Sequence, residues 1–323
     1  MTVTIIQGDV RDVLPALPAD SVDCIVTSPP YWGLRDYGCA GQIGLEPTLD
    51  AYLETMVDIC RELRRVLKPS GTFWLNIGDS YAGSWGAQGR AGQMAGRSVV
   101  SARQIAAHPR GQTGTGSTKR IPGLKPKDLC LAPARLALAL QADGWWVRSE
   151  IIWAKPNPMP ESVTDRPTSA HEKIYLLTKS ATYFYDAEAV KEASVSDHPS
   201  GNGFKRDARL SYADANGARG NDDQWIDVGG RRNLRNVWSI NSKPFADAHF
   251  ATFPPALAER CIKAGCPSGG NILDPFGGAG TTGLVADRLG RDCTLIELNQ
   301  SYVDLSRTRI MDDAPLLTEI AAE

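Results

Sequence analysis

Short apolar runs, bounded by Gly, Pro or Asp, alternate along the chain with segments whose apolar residues recur at helical spacing. Val3–Ile6 predicts a strand ending at Gly8-Asp9, and Val10–Leu17 follows with a helical pattern. Ser21–Thr27 is the next strand. From Thr48 to about Lys68, apolar Leu53, Met56, Val57, Cys60, Leu63 and Leu67 predict a helix, with Thr48 and Asp50 as N-cap candidates. Pro69-Ser-Gly71 ends it, and Thr72–Ile77 is another strand. This β-α-β-α-β alternation predicts an α/β fold built on a parallel sheet with helices on both faces. Further on, Leu131–Gln141 reads as helix and Trp145–Trp153 as a strand that ends in Lys155-Pro-Asn-Pro158. His171–Thr178 and Thr182–Asp186 alternate like a hairpin. Pro254 and Pro255 open a helix closed by Gly265. Asn271–Leu273 is a strand, a glycine loop and a helix to Leu289 follow, and Cys293–Ile296 is a strand ending at Glu297. The acidic tail from Asp312 reads as a solvated helix end. No internal repeat is visible.

Two segments break the alternation. Ser84–Leu124 is rich in Gly, Ser, Thr and Gln and holds no Asp or Glu. It carries Arg90, Arg97, Arg103, Arg110, Lys119 and Arg120, continued by Lys125 and Lys127. A structureless stretch this long is either a functional insertion or a merely solvated one, and its all-basic charge fits a nucleic-acid arm. Ala193–Asn236 is a second irregular stretch and clusters Arg231, Arg232 and Arg235.

Composition narrows the class. With 323 residues, 42% hydrophobic and 22% charged, the chain can form one large α/β domain or a core with a smaller lobe. A net charge of -2 excludes a uniformly basic surface but leaves room for local basic patches. The seven cysteines form no CxxC pair, which favours reduced buried thiols over a disulfide framework or a zinc site. There is no signal peptide pattern, and no apolar run approaches the ~18 residues of a membrane span. The expectation is a soluble, cytoplasmic protein without a metal site.

Candidate chemistry concentrates in two stretches. In Val26-Thr-Ser-Pro-Pro-Tyr-Trp32, two prolines forbid helix continuation and ladder donation, so the backbone leaves the strand rigid and extended. It presents the Ser28 hydroxyl, the carbonyls of Pro29 and Pro30, and the aromatic Tyr31 and Trp32 at a strand's C-terminal edge, where open α/β sheets bind ligands. Acceptors beside a stacking platform suit a flat heterocycle with an exocyclic amine; a plain Pro-Pro turn under an aromatic cap is the bland alternative. The second stretch is Asp274-Pro-Phe-Gly-Gly-Ala-Gly-Thr-Thr282. Gly278–Gly283 matches GxGxxG between a strand and a helix, and Glu297 follows at about the distance of a ribose-binding acid. A nicotinamide or flavin site and an S-adenosylmethionine site both fit that pattern. Only a short stretch follows Glu297, so a second mononucleotide half would have to precede the loop and the sheet would be circularly permuted. Asp274 and Phe276 beside the loop suit a cofactor with an amino-acid tail better than a pyrophosphate.

Together these stretches resemble the permuted, β-class DNA amino-methyltransferases, in which the catalytic motif precedes the cofactor loop. Ile25–Tyr31 is similar to the family's catalytic motif and Asp274–Thr282 to its cofactor motif. The resemblance implies catalytic Ser28, Pro29, Pro30 and Tyr31, and S-adenosyl-L-methionine as cofactor. It implies cofactor contacts from Asp9 (adenine), Glu297 (ribose hydroxyls), the loop residues Asp274, Phe276, Gly277, Gly278, Gly280, Thr281 and Thr282, and the Phe250–Leu257 stretch with Phe253. It divides the chain into a catalytic half of the core (1–83), a basic insertion (84–127), a core helix and strand (128–158), a target-recognition region (159–243), a cofactor half (244–311) and a tail (312–323). Within the family Ser-Pro-Pro-Tyr goes mostly with cytosine-N4 and Asp-Pro-Pro-Tyr mostly with adenine-N6, so cytosine-N4 is expected and adenine-N6 is the alternative.

An exocyclic base amine is a weak nucleophile because its lone pair is delocalised into the ring, so the task is positioning and polarisation. The Ser28 hydroxyl and the Pro29 carbonyl are expected to accept the two amine hydrogens, with Tyr31 stacking on a flipped-out base and Trp32 as a second wall. Phosphate contacts are expected from the basic insertion and from Arg231, Arg232 and Arg235. His171 and His249 are expected to be structural, and Trp145-Trp146 to be core. Double-stranded DNA is the expected substrate, with a homodimer and a separate restriction endonuclease, or none, as possible partners. The rival readings are a nicotinamide oxidoreductase, a methyltransferase for RNA or a protein amide, and a DNA-binding protein without catalysis.

Overall fold

The computed structural model describes residues 2–34, 36–82, 123–158, 160–193, 231–242, 253–313 and 319–322. In chain order the elements are β1 (Thr2–Gln7), α1 (Val10–Val13), β2 (Val22–Thr27), α2 (Leu49–Val66), β3 (Leu67–Ile77), α3 (Ala132–Ala142), β4 (Trp146–Ala154), β5 (His171–Thr178), β6 (Glu192–Ala193), β7 (Arg231–Arg232), β8 (Val237–Ser239), α4 (Pro255–Gly265), β9 (Asn271–Asp274), α5 (Thr281–Arg288), β10 (Asp292–Glu297), α6 (Gln300–Asp313) and β11 (Glu319–Ala322).

Among the described residues nine strands form one sheet in the order β11-β1-β10-β9-β2-β3-β5-β4-β8. The run from β11 to β3 is parallel throughout, and β5 is antiparallel to both β3 and β4. The central pair joins distant parts of the sequence: Cys24 and Ile25 of β2 lie beside Ile272 and Leu273 of β9. From β9 the chain crosses by α5 to β10 on one side. From β2 it crosses by α2 to β3 on the other. The strand order therefore reverses between β9 and β2, which opens a crevice at their carboxyl ends.

Helix α2 shows how the sequence covers the sheet. Thr48 caps it by accepting from the Ala51 N–H at 3.1 Å, and Arg64 and Arg65 lie in its last turn. Leu49, Tyr52, Met56, Ile59, Cys60, Leu63 and Val66 fall on one buried stripe, each large side chain contributing about 1.5–3 kcal/mol by leaving water. They pack with Leu136 and Leu140 of α3, Val10 of α1, and Ile25, Phe73 and Leu75 of the sheet. The alternate residues serve the opposite face, where the Thr72 hydroxyl donates to the Gly265 carbonyl at the end of α4.

The structure departs from expectation in five places. The tail read as a solvated helix end leaves α6 at Asp313 and adds β11, parallel to β1, to the edge of the sheet. Helix α2 ends at Val66, and Pro69-Ser-Gly71 lies within β3 rather than before it, because Leu67 already pairs with Val22. Helix α1 stops at Val13 and gives way to a 3-10 turn over Leu14–Ala16, because Pro15 has no N–H to continue an α-helix. The hairpin over 171–186 does not form. β5 pairs with β3 and β4 of the main sheet, and residues 182–186 are not a strand. Of the tryptophan pair, Trp145 is buried against Phe73, but Trp146 is exposed.

Residues Ala187–Arg235 cluster as a separate small unit. Its described part is the antiparallel pair β6 and β7. There Glu192 Oε1 takes hydrogen bonds from Arg232 Nε at 2.8 Å and Arg235 Nε at 2.5 Å, while Arg231 reaches the carbonyls of Glu188 and Lys191. Of the residues singled out in the sequence, Arg90, Arg97, Arg103, Arg110, Lys119, Arg120 and His249 lie outside the described residues.

Candidate active site

The crevice at the sheet's switch point holds a cavity of about 240 Å³. Ser28, Pro29, Pro30 and Tyr31 line one part of it, and Asp9, Phe253, Phe276, Gly277, Gly278, Thr281 and Glu297 line the other. The two stretches singled out in the sequence thus meet at one site. Ser28 is there because β2 ends at Thr27 and the two prolines carry the chain straight off the sheet. The Pro30 carbonyl accepts from the Tyr52 hydroxyl at 3.0 Å. Among the described residues no group donates to the Pro29 carbonyl.

Behind Ser28 lies a polar cluster contributed by three neighbouring strands. Asn76, near the end of β3, is 3% exposed, and its Nδ2 donates toward Ser28 Oγ at 3.1 Å, Tyr31 Oη at 2.8 Å and Glu172 Oε2 at 3.0 Å. Two N–H groups therefore serve three oxygens, and the carboxylate fixes the amide's orientation. The Tyr31 hydroxyl donates to Glu172 Oε2 at 2.7 Å and lies 3.1 Å from Ser28 Oγ. Lys155, just past β4, pairs with the other carboxylate oxygen, Oε1, and its ammonium sits 4.3 Å from the Trp153 ring centroid. Burial, with the Glu172 charge beside it, pushes the Tyr31 phenol well above its usual range, so it stays protonated. Gly78 makes room for this tyrosine: a Cβ there would stand 2.6 Å from Tyr31 Cε2.

On the other side, the loop after β9 wraps against the end of β10. Glu297 accepts the Gly278 N–H at 2.8 Å through one oxygen and the Asn299 N–H at 2.8 Å through the other. Burial raises its carboxyl while these backbone donors pull it down, with a net upward shift. Gly278 has a φ of +50°, and Gly280, just before α5, has a φ of +74°, the left-handed region that favours glycine. Asp9 caps α1 through the Arg11 N–H at 2.9 Å and pairs with the Arg11 guanidinium, which holds its carboxyl below the usual range. Arg11 also reaches the Gly41 carbonyl at 2.7 Å, tying this turn to the loop that follows Tyr31. Tyr37 of that loop meets Tyr302 of α6 edge to face, centroids 6.5 Å apart, at the cavity wall.

Several expected site residues point elsewhere. Asp274 is 1% exposed and does not line the cavity. Its carboxylate accepts from the Thr27 and Thr282 hydroxyls at 2.6 Å each and from the Phe276 N–H at 3.1 Å. Thr282 is buried in that same brace. Gly280 also lies off the cavity, where a Cβ would come 2.7 Å from Ser306 Cβ, so it is a packing glycine. Trp32 is turned into the core, with its ring N–H donating to the Glu46 carbonyl at 3.0 Å, and gives the cavity no wall. His171 opens β5 away from the cavity lining. Asn76, Glu172 and Lys155 were not singled out in the sequence. The signal was a polar residue, Asn76, within the otherwise apolar run from Phe73 to Ile77.

Among the described residues no group of three or more His, Cys, Asp or Glu side chains could hold a metal, and no helix is long and apolar enough to cross a membrane. All seven cysteines are free.

Comparison with known proteins identifies the family and the fold. The profile of a family described as DNA methylase (N6_N4_Mtase) matches residues 22–308. The chain is 45% identical to the Type II methyltransferase M.Cfr9I of Citrobacter freundii over 99% of this chain and 91% of that protein. It is 44% identical to M.SmaI of Serratia marcescens over 95% and 90% of the two chains. Among solved structures, the PvuII cytosine-N4-specific DNA methyltransferase superposes with a TM-score of 0.62 at 17% identity, covering 100% of this chain and 95% of that one. A putative DNA modification methylase of Thermus thermophilus, solved with S-adenosyl-L-methionine, superposes with a TM-score of 0.56 at 22% identity, covering 98% and 99%.

Proposed function

Because this chain belongs to the N6/N4 DNA methylase family, we propose that it transfers a methyl group from S-adenosyl-L-methionine to the N4 amine of a cytosine flipped out of duplex DNA. The observation that carries this reading is the placement of Ser28 and Glu297 in one cavity. Glu297 puts a carboxylate on the cofactor side, which disfavours a pyrophosphate but suits an adenosine carrying a positive sulfonium, while Arg11 balances the charge of Asp9. Glu297 would hold the ribose hydroxyls, the Gly277–Gly278 backbone would pass close to the cofactor, and Phe276, Phe253 and Thr281 would complete its site. The cofactor supplies an activated methyl, so no covalent enzyme intermediate is needed.

On the base side, Ser28 Oγ and the Pro29 carbonyl would each accept one hydrogen of the amine. That draws the nitrogen toward sp³ and aims its lone pair at the methyl. Tyr31 would lie against the base. Cytosine-N4 is preferred because serine, and not aspartate, heads Pro29-Pro30-Tyr31, and the PvuII enzyme of similar fold is cytosine-N4-specific. Adenine-N6 is the second reading, since a serine hydroxyl also accepts from an adenine amine.

Region 159–243 would read the target sequence. Residues 84–127, with Arg90, Arg97, Arg103, Arg110, Lys119 and Arg120, would neutralise phosphates. Arg231, Arg232 and Arg235 would assist, although Glu192 already balances part of their charge. The protein would act in the cytoplasm as the modification half of a restriction–modification pair or as an orphan, as a homodimer; sedimentation showing only monomer removes the dimer. Calorimetric titration with S-adenosyl-L-methionine and with NAD tests the cofactor assignment: binding of the first alone is expected, and binding of NAD alone contradicts it. Competition between duplex DNA, RNA and peptide tests the substrate class, with duplex DNA expected to win.

A further inference from the structure

Resting on the reading above, we propose that Ser28, Tyr31 and Glu172 form a proton relay that takes the proton released by the target amine, with Glu172 as its terminal acceptor.

Proton accounting along the hydrogen bonds sets the direction. A carboxylate cannot donate, so the Tyr31 proton is committed to Glu172 Oε2 at 2.7 Å. Tyr31 Oη also receives Asn76 Nδ2 at 2.8 Å. At the 3.1 Å contact with Ser28, Tyr31 can therefore only accept, and the Ser28 hydroxyl must donate. With its own proton turned toward Tyr31, Ser28 Oγ offers the cavity an acceptor and no donor. Lys155 holds Glu172 Oε1 and leaves Oε2 for the relay.

When the amine nitrogen bonds to the methyl carbon, the carbon–sulfur bond breaks, its electron pair stays on sulfur, and the nitrogen becomes cationic. That nitrogen then gives a proton to Ser28 Oγ, Ser28 passes its own to Tyr31 Oη, and Tyr31 passes its own to Glu172 Oε2. The serine and tyrosine end as they began, and the charge of the cation is cancelled on the glutamate. A phenol whose ionisation is suppressed can take part only by receiving one proton as it yields another, and Tyr31 is such a phenol. Asn76 acts as a positioning residue that holds the three oxygens together.

Three variants, Glu172→Gln, Tyr31→Phe and the double variant, test this on duplex DNA. Single-turnover methyl transfer is measured beside two equilibrium readouts: calorimetric cofactor affinity, and fluorescence of 2-aminopurine at the target as a report of base flipping. Each single variant is expected to slow transfer about 100-fold. The double variant should be no slower than Tyr31→Phe alone, because a broken wire cannot be broken twice. Cofactor affinity and flipping should stay within about twofold of wild type. Glu172→Gln transferring at the wild-type rate overturns the relay, as do additive losses, or parallel losses of binding and rate that mark a structural role. Wild type that methylates no DNA nucleoside would overturn the underlying reading itself, before any variant is compared.

Discussion

The Thr27 hydroxyl donates to the Asp274 carboxylate at 2.6 Å and so bridges the last residue of β2 to the last residue of β9. Thr282, at the start of α5, donates to the other carboxylate oxygen at the same distance. Asp274 is thus a brace that sets the serine-bearing strand against the glycine loop. Replacing Asp274 by Ala would strand the buried Thr27 hydroxyl and the Phe276 N–H, each costing about 1–3 kcal/mol, and leave Thr282 only its longer contact with the Val26 carbonyl at 3.5 Å. Urea denaturation is expected to show a loss of about 3 kcal/mol or more, together with weaker cofactor binding. A variant as stable as wild type would mean the brace is incidental.

Burial raises the Asp274 carboxyl from 3.8 to about 6. In the folded state it therefore binds its proton more tightly than in the unfolded chain. Between pH 4 and about 6 the native state holds more protons at this site, so its contribution to stability falls as pH rises through that window and levels off above it. The full effect is about 3 kcal/mol. Subtracting the pH–stability curve of Asp274→Asn from that of wild type isolates it, and a difference that rises with pH contradicts the assignment.

Ser28→Ala removes an acceptor needed only where the amine reacts. Turnover should drop about 100-fold or more while cofactor affinity changes little. Equal losses in turnover and affinity would reassign Ser28 to cofactor binding.

Gly78→Ala places a methyl 2.6 Å from the Tyr31 ring. The ring must move, which breaks its bonds to Glu172 and Ser28. Single-turnover rate is expected to fall at least about tenfold, since small misplacements at a reacting centre are costly, with cofactor affinity unchanged. A wild-type rate would show that Tyr31 placement does not govern the reaction.

Glu297→Ala frees the Gly278 and Asn299 N–H groups that its carboxylate now holds. The cofactor Kd should rise about tenfold or more with a smaller change in the rate at saturation. An unchanged Kd would remove Glu297 from the cofactor site.

Much of this architecture was legible in the sequence because period and punctuation carried it. Thr48 and the apolar stripe of α2 mark a helix by themselves, and Pro29-Pro30 after Val22–Thr27 marks a chain leaving a strand. Side-chain direction was not legible. Asp274-Pro-Phe276 reads as a carboxylate beside a cofactor, yet the carboxylate turns inward because Thr27, remote in sequence, offers a buried donor. Trp32 turned inward for a similar reason, finding a carbonyl at Glu46. Alternation marked His171–Thr178 as a strand but could not name its neighbours, so its insertion between β3 and β4 was missed. With that insertion went the meeting of Asn76, Lys155 and Glu172, which only strand pairing brings together.

The central claim is that Ser28 presents an exocyclic cytosine amine for methylation. Its most direct measurement is nucleoside mass spectrometry of unmethylated duplex DNA of broad sequence content, incubated with S-adenosyl-L-methionine and either the wild-type chain or Ser28→Ala. N4-methylcytosine from wild type, lost in the variant, is the predicted result. N6-methyladenine, or no methylated nucleoside at all, contradicts it.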